Sequence, residues 1–233
     1  MKLPLFSVLL TLLAGSLAAA DHAPTKQEQA HFTPQEVLAD LMAGNKHYVD
    51  NRLTPRDLVT RRHDGVGGQH PKAYVLSCID SRVPVELVFD QSLGDIFVGR
   101  VAGNIENEDQ LGSMEYAACV SGVHVILVLG HESCGAVKGA IDHVEMSNLS
   151  LLLDKIEPAV EAVKADHHYG HDHGHLDSHD HRFVSLVVEQ NVKMTVADIR
   201  ERSPELVKLE QEGRLCIVGA VYSLQTGKVT LVE

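Results

Sequence analysis

The sequence predicts a single α/β domain with a mainly parallel central sheet flanked by helices. The clearest observation is the run at 123–129, which is almost entirely apolar and ends at Gly130. Shorter apolar runs at Ala73–Ser77 and 96–98 alternate with helical patterns. Continuous apolar strands separated by helices are typical of a parallel sheet that is covered on both faces.

An N-terminal helical arm precedes the first strand. The residues at 33–36 predict a capping box with a proline at the first helical position. Val37, Leu41 and Tyr48 then fall on one face of a helix over 34–48.

The remaining elements follow from the same patterns. Helical periodicity indicates four further helices, at 108–121, 135–144, 149–165 and 183–201. Ser203 and Pro204 begin one more short helix, which Gly213 ends. The last two apolar runs, at 215–223 and 228–232, predict a hairpin.

The first twenty residues predict a targeting segment. Lys2 precedes an apolar run at 3–13, and small residues lead to Ala20. A charged start, a short apolar stretch and an Ala-x-Ala end are typical of a secretory signal peptide, with an uncleaved anchor as the alternative. We therefore expect 1–20 to be removed, which leaves 21–233 as one exported, periplasmic domain without a membrane anchor.

The composition argues against one broad class of partner. The chain has 233 residues, with 20 Lys and Arg against 32 Asp and Glu, a formal net charge of −12. Because an acidic surface repels phosphate backbones, we expect no nucleic acid partner.

Two short segments hold the residues with the clearest chemistry. Cys-Ile-Asp-Ser-Arg at 78–82 and His-Glu-Ser-Cys-Gly at 131–135 each begin where a predicted strand ends. In open α/β sheets, ligands bind at the carboxyl ends of the strands. Two thiolates and one imidazole at that edge suit Zn²⁺ and leave a fourth position for water or substrate.

Cys78, His131 and Cys134 are therefore the candidate metal ligands. Asp80 is either a fourth ligand or the partner of Arg82, which would hold the carboxylate off the metal. Two alternatives remain open from the residues alone. The cysteines are buried small thiols with His131 at a strand end, or they form a disulfide.

A histidine-rich insertion lies between two helical patterns, at 167–181. It holds seven of the fifteen histidines: His167, His168, His171, His173, His175, His179 and His181. Such a tract cannot form a packed core and is typical of metal binding. We expect a weak, auxiliary zinc-collecting loop, with a solvated loop or a proton-transfer buffer as the alternatives.

The residues from about Gln69 to Gly139 resemble the β-class carbonic anhydrases. The resemblance rests on five motifs in matching order and spacing: Cys78-x-Asp80-Ser81-Arg82, Gly94-Asp95-x-Phe97-x-x-Arg100, Ala102-Gly103-Asn104, Glu115-Tyr116-Ala117 and Gly130-His131-x-x-Cys134-Gly135. It implies a zinc enzyme that reversibly hydrates carbon dioxide to bicarbonate and a proton.

Matching positions imply three groups of site residues: zinc ligands Cys78, His131 and Cys134; a catalytic pair Asp80 and Arg82; and pocket residues Gln69, Phe97 and Tyr116. The resemblance implies one zinc per subunit, zinc-bound hydroxide oriented by the Asp–Arg pair, and a homodimer or a dimer of dimers. The helix at 34–48 would then pack on the second subunit, with packing on its own core as the alternative.

Two positions depart from the family pattern. Val101 stands where many members have Asn, and Val75 stands where one subgroup has a Trp of a regulatory bicarbonate site. The chain contains no Trp. We therefore expect the open form of the site, in which Asp80 is paired with Arg82.

Two rival functions share some of these features. A hydrolase of the same fold acting on CS₂ or COS would have the same zinc site. An exported metal-capture protein would explain the histidine tract but not the Asp80–Arg82 pair. The two remaining cysteines, Cys119 and Cys216, are expected to be inert core thiols.

Overall fold

The computed structural model describes residues 22–166 and 176–232. Its strands are Ala73–Ser77 (β1), Ile96–Arg100 (β2), Val125–His131 (β3), Cys216–Tyr222 (β4) and Val229–Val232 (β5). They form one sheet in the order β2-β1-β3-β4-β5. All neighbours are parallel except β4 and β5, which form the predicted hairpin. The prediction of a mainly parallel sheet is confirmed.

Ten α-helices, numbered α1 to α10 in chain order, lie within the described residues: Lys26–His31, Pro34–Val49, Leu58–Asp64, Val85–Val88, Glu108–Glu115, Gly135–Ile141, Ser147–Leu153, Glu157–Ala165, His181–Arg202 and Pro204–Gln211. Helices α1, α3 and α4 are not predicted by the sequence patterns, because an apolar period needs more than two turns to be recognised. In the part of the chain that the structure covers, no helix has both the length and the apolar character to cross a bilayer.

The sheet is covered on both faces, which explains its continuous apolar runs. Leu76, Ile126 and Val128 pack in the layer beneath α5, α9 and α10. Val75 and Leu127 point to the opposite face and pack beneath α2 and α4. All five side chains are fully buried. Successive strand residues alternate between two covered faces, so both faces favour apolar side chains.

Helix α2 packs against its own chain. The Thr33–Glu36 capping box forms in both directions, as predicted. Val37 and Leu41 are buried in the core beneath the sheet. The expectation that this apolar face packs on a second subunit is therefore wrong, because the sheet of the same chain already covers it.

Several predicted boundaries differ from the structure; the helix predicted at 135–144, for example, ends at Ile141. The helix predicted at 149–165 is two helices, and α8 begins at Glu157 with a proline in its first turn. Pro158 lacks the backbone N–H that a continuous helix would need. The helix predicted at 108–121 ends as α-helix at Glu115 and continues as one π-helical turn, Tyr116–Val120. Strand β3 extends to His131, so this histidine ends the strand rather than following it.

The predicted targeting segment, residues 1–20, lies outside the described residues. The division of the chain into this segment and one domain therefore stays a prediction.

Candidate active site

The site is built at the carboxyl ends of two neighbouring strands. Cys78 directly follows β1, and His131 is the last residue of β3. These strands pair in parallel with Ser77 opposite Leu129, which brings the two side chains to the same edge. Cys134 is the N-cap of α6, three residues after His131. All three side chains are buried.

The three side chains form a preorganised donor set for a metal. Their ligand atoms, two sulfurs and one imidazole nitrogen, lie within 4.8 Å of one another. The Nδ1 of His131 lies 2.9 Å from the Glu132 carbonyl oxygen, so it carries the proton and donates there. The Nε2 therefore presents a lone pair, and it is buried without a hydrogen-bond partner among the described residues. An unpartnered buried acceptor beside two cysteine sulfurs fits the Cys₂His set of a zinc site.

The two cysteines are hydrogen-bonded to each other rather than joined by a disulfide. Neither forms a disulfide. The Cys134 thiol donates a hydrogen bond that lowers the pKa of Cys78 to about 4 and raises the pKa of Cys134. The Gly103 backbone N–H also donates to the Cys78 Sγ, at 3.3 Å. Cys78 is therefore the sulfur that ionises more readily, and the thiolate is the form that binds metals.

Asp80 is bound side-on by Arg82. The Arg82 Nε and Nη2 donate to the two carboxylate oxygens at 3.0 and 2.7 Å, and the Arg82 backbone N–H donates at 2.9 Å. These bonds lower the pKa of Asp80 to about 2, so the carboxylate is ionised at neutral pH. Its Oδ2 lies 3.8 Å from the His131 Nε2. Asp80 thus borders the donor set while its own oxygens are occupied by Arg82.

Arg100 fixes the loop that carries both Cys78 and Asp80. It ends β2, and its Nε donates to the Cys78 carbonyl at 2.8 Å while its Nη2 donates to the Asp80 carbonyl at 2.6 Å. The sequence motifs contain Arg100 but do not reveal this role. Two backbone carbonyls held by one planar guanidinium leave the loop little freedom.

The three predicted pocket residues lie in two different places, a cleft along β2 and the loop before β1. Phe97 and Tyr116 contact each other, with ring centroids 6.3 Å apart, and line an open cleft along the edge strand β2. Tyr116 is 53% exposed. Gln69 is exposed in the loop before β1. Arg100 lines this cleft and also donates to the backbone carbonyl of Cys78, so it links the cleft to the loop of the metal donors.

The comparisons with known proteins agree with this geometry. Residues 73–229 match the protein family described as carbonic anhydrase. The chain belongs to the β-carbonic anhydrase family. Its curated relatives include carbonic anhydrase 2 of Mycobacterium tuberculosis, 36% identical over 194 residues that cover 82% of this chain and 89% of that protein. The carbonic anhydrase of Mycolicibacterium smegmatis is 37% identical over 198 residues with the same coverage.

Solved structures of β-carbonic anhydrases have the same fold as this β-carbonic anhydrase. The β-carbonic anhydrase CcaA superimposes with a TM-score of 0.65 at 27% identity, covering 85% of this chain and 94% of that one. A tetrameric β-carbonic anhydrase of Sordaria macrospora has the same fold, with a TM-score of 0.65 at 21% identity, over 81% of this chain and 90% of that one. The buried Cys78, His131 and Cys134 set is accordingly a zinc site of this family.

Most of the histidine tract lies outside the described residues, namely His167, His168, His171, His173 and His175. His179 and His181 are described, and both are exposed. The end of the tract is anchored, because Ser178 donates through its hydroxyl to Asp142 at 2.5 Å. The role of the tract in binding metal stays a prediction.

The other two cysteines lie away from the donor set. Cys119 is exposed on the π-helical turn, so the expectation of a core thiol is wrong for this residue. The face that the helical period predicts, Leu111, Met114 and Ala118, is buried, and Cys119 lies outside it. Cys216 is half-buried at the start of β4, and burial raises its pKa.

Proposed function

We propose that this protein is a zinc-dependent carbonic anhydrase that converts carbon dioxide and water reversibly to bicarbonate and a proton. The observation that carries the proposal is the buried Cys78, His131 and Cys134 donor set bordered by an ionised Asp80–Arg82 pair. Three protein ligands leave a fourth position for chemistry, which a structural zinc site does not provide.

Each group of site residues has its own role in the proposed reaction. Cys78, His131 and Cys134 would hold the zinc ion, which would supply the Lewis acidity that lowers the pKa of water towards neutrality. Asp80 is ionised and acceptor-only, so it accepts a hydrogen bond from the attacking oxygen and aligns that oxygen with carbon dioxide. Arg82 occupies the Asp80 oxygens and keeps the carboxylate from acting as a fourth ligand. Arg82 is 57% exposed, so the pair stands next to solvent, where the product proton leaves.

The substrate pocket is proposed to be completed by a second subunit. Phe97 and Tyr116 supply an apolar surface that a single chain leaves open, and Gln69 supplies an exposed amide. The tetrameric relative of the same fold supports an assembly of subunits. A homodimer or a dimer of dimers would place these residues in a closed pocket. Sedimentation velocity at micromolar concentration tests this, and a monomer with full activity would contradict it.

Two rival functions are tested together with the first. A CS₂ or COS hydrolase would use the same zinc site, whereas metal capture would not need the Asp80–Arg82 pair. The test is stopped-flow carbon dioxide hydration with zinc content measured on the same sample. Fast turnover that depends on one zinc per chain supports the proposal. One tightly bound zinc without turnover favours the hydrolase, and several zinc ions without turnover favour metal capture.

Export to the periplasm is proposed from the N-terminal sequence alone. Residues 1–20 have the charge, apolar length and small-residue end of a signal peptide. Expression in a host with a secretory pathway, followed by N-terminal sequencing of the periplasmic protein, tests this. A mature chain that begins at Asp21 supports cleavage, and a cytoplasmic chain that begins at Met1 contradicts it.

A further inference from the structure

A side-chain amide lies in the apolar face of the long helix α9. Asn191 is 3% exposed, and its neighbours Val187, Val188 and Val192 are buried in the same stripe. Burying an amide costs free energy unless it is hydrogen-bonded. The Asn191 Nδ2 donates to the Gly103 carbonyl oxygen at 2.9 Å. The amide therefore points to the short loop after β2, which lies against the metal donors.

Gly103 connects this amide to a metal donor. While its carbonyl accepts from Asn191, its backbone N–H donates to the Cys78 Sγ at 3.3 Å. Gly103 has φ +72°, and a Cβ there would lie 2.5 Å from the Ile156 Cδ1. The left-handed φ favours glycine, and a glycine backbone turns more freely than that of other residues. The direction of this N–H therefore depends on what holds the peptide units around it.

The same face of α9 also packs on the strand end that carries the histidine donor. A Cβ at Gly130 would lie 2.6 Å from the Val192 Cγ2 and 3.3 Å from the Val188 Cγ1. Gly130 precedes His131 in β3. One helical turn thus contacts the backbone beside two of the three metal donors.

We propose that Asn191 is a positioning residue of the metal centre. By fixing the Gly103 carbonyl, it helps to aim the Gly103 N–H at the Cys78 sulfur and so orients that sulfur towards the metal position. The inference deepens the proposed function and rests on its zinc site. Removing a second-layer partner of a metal ligand typically lowers metal affinity about 10- to 100-fold.

The test compares variants that remove the Asn191 donor with a matched control on the same helix. Asn191→Leu replaces the amide with an apolar group of similar size. Asn191→Ser is a smaller substitution, kept for the case in which the leucine variant does not fold. Val196→Ala is the control, because Val196 is also buried on α9 but packs beside Gly219 in β4. All variants are compared with the wild-type protein in its full chain.

Two readouts separate a positioning role from a merely structural one. The first is the rate at which a chelator removes zinc from the folded protein. We expect this rate to rise about 10- to 100-fold in the Asn191 variants and to stay within about twofold of wild type in Val196→Ala. The second is the sulfur-to-metal charge-transfer band of the Co²⁺-substituted protein. Losing an N–H···S hydrogen bond makes the sulfur more electron-rich, so the band should move to lower energy in the Asn191 variants alone.

The possible failures are distinguishable. Asn191 variants that match Val196→Ala in both readouts would overturn the positioning role and leave the zinc site intact. A wild-type protein that binds no Co²⁺ through cysteine sulfur would instead refute the zinc site of the proposed function.

Discussion

The carboxylate of Asp80 and the guanidinium of Arg82 meet in a two-point contact, with Nε···Oδ1 at 3.0 Å and Nη2···Oδ2 at 2.7 Å. The two residues are separated by one position in the chain, so a tight turn after Cys78 suffices to form the pair. Parallel N–H···O bonds of this kind fix the plane of the carboxylate as well as its charge. The contact places Asp80 beside the metal donors with both of its carboxylate oxygens engaged by Arg82.

Replacing Asp80 tests that assignment. Asp80→Asn keeps the shape of the side chain but replaces one carboxylate oxygen with an NH₂ group. That group donates hydrogen bonds where Asp80 accepts them from Arg82 and from the attacking oxygen. We expect kcat/KM for carbon dioxide hydration to fall about 100-fold or more, with zinc content unchanged. Asp50→Asn is the matched control, since Asp50 is a surface carboxylate paired with Lys46 and Arg52. Loss of zinc from Asp80→Asn would show that Asp80 is a ligand and that the roles are misassigned.

The histidine tract is tested by substitution rather than by deletion. Ser178 is tied to Asp142, and Asp180 is the N-cap of α9, so removing 167–181 would disturb the fold. Replacing the seven histidines of the tract with Gln keeps these contacts. We expect full activity in excess zinc and lower activity under a competing chelator, because the variant reloads metal more slowly. Equal activity of the variant and the wild type at every chelator concentration would exclude a zinc-collecting role.

Two helical glycines have opposite predicted responses to the same substitution. Gly44 lies in α2, and a Cβ there would lie only 1.9 Å from the Phe89 carbonyl oxygen. Gly112 lies in α5, where a Cβ meets nothing within 4 Å. We expect Gly112→Ala to stabilise the protein by about 1 kcal/mol. We expect Gly44→Ala to destabilise it by about 1–3 kcal/mol. Denaturant unfolding measures both, and stabilisation by Gly44→Ala would contradict the close approach of α2 to this backbone.

Tyr74 gives the fold a predictable response to alkali. Burial raises the pKa of Tyr74 from 10.0 to about 12, and its hydroxyl donates to Gln110 at 2.7 Å. The folded-state pKa of Tyr74 lies above that of the unfolded chain. The contribution of the neutral, buried Tyr74 to the free energy of unfolding is therefore complete below pH 10, and it is lost as the pH rises from 10 towards 12. Tyr74→Phe should therefore flatten the pH dependence of the unfolding free energy in that range.

The ultraviolet titration of tyrosine provides the direct measurement, since the chain contains no Trp to obscure it. Subtracting the Tyr74→Phe titration from that of the wild type should isolate one ionisation near pH 12. If the ionisation that Tyr74→Phe removes lies near pH 10 instead, Tyr74 is accessible to solvent and the prediction is wrong.

The strands and long helices could be predicted because their patterns are local. Strand β3 and helix α9 each bury enough consecutive or periodic side chains to be recognised without knowledge of their neighbours. Helix α4 has only four residues, and its boundaries depend on packing against α2 rather than on its own sequence. The break before α8 and the π-helical turn at Tyr116–Val120 were missed because both interrupt an otherwise continuous period.

The sequence by itself determined the donor residues and the family. Cys78, His131 and Cys134 stand at the ends of apolar runs, and the spacing of the motifs around them is a property of the chain alone. Only the tertiary structure decided how these donors are held. The link from Asn191 to Gly103 joins residues 88 positions apart, and it exists because α9 packs across the sheet. Contacts of that range depend on the packing of whole elements, which no local pattern of residues encodes.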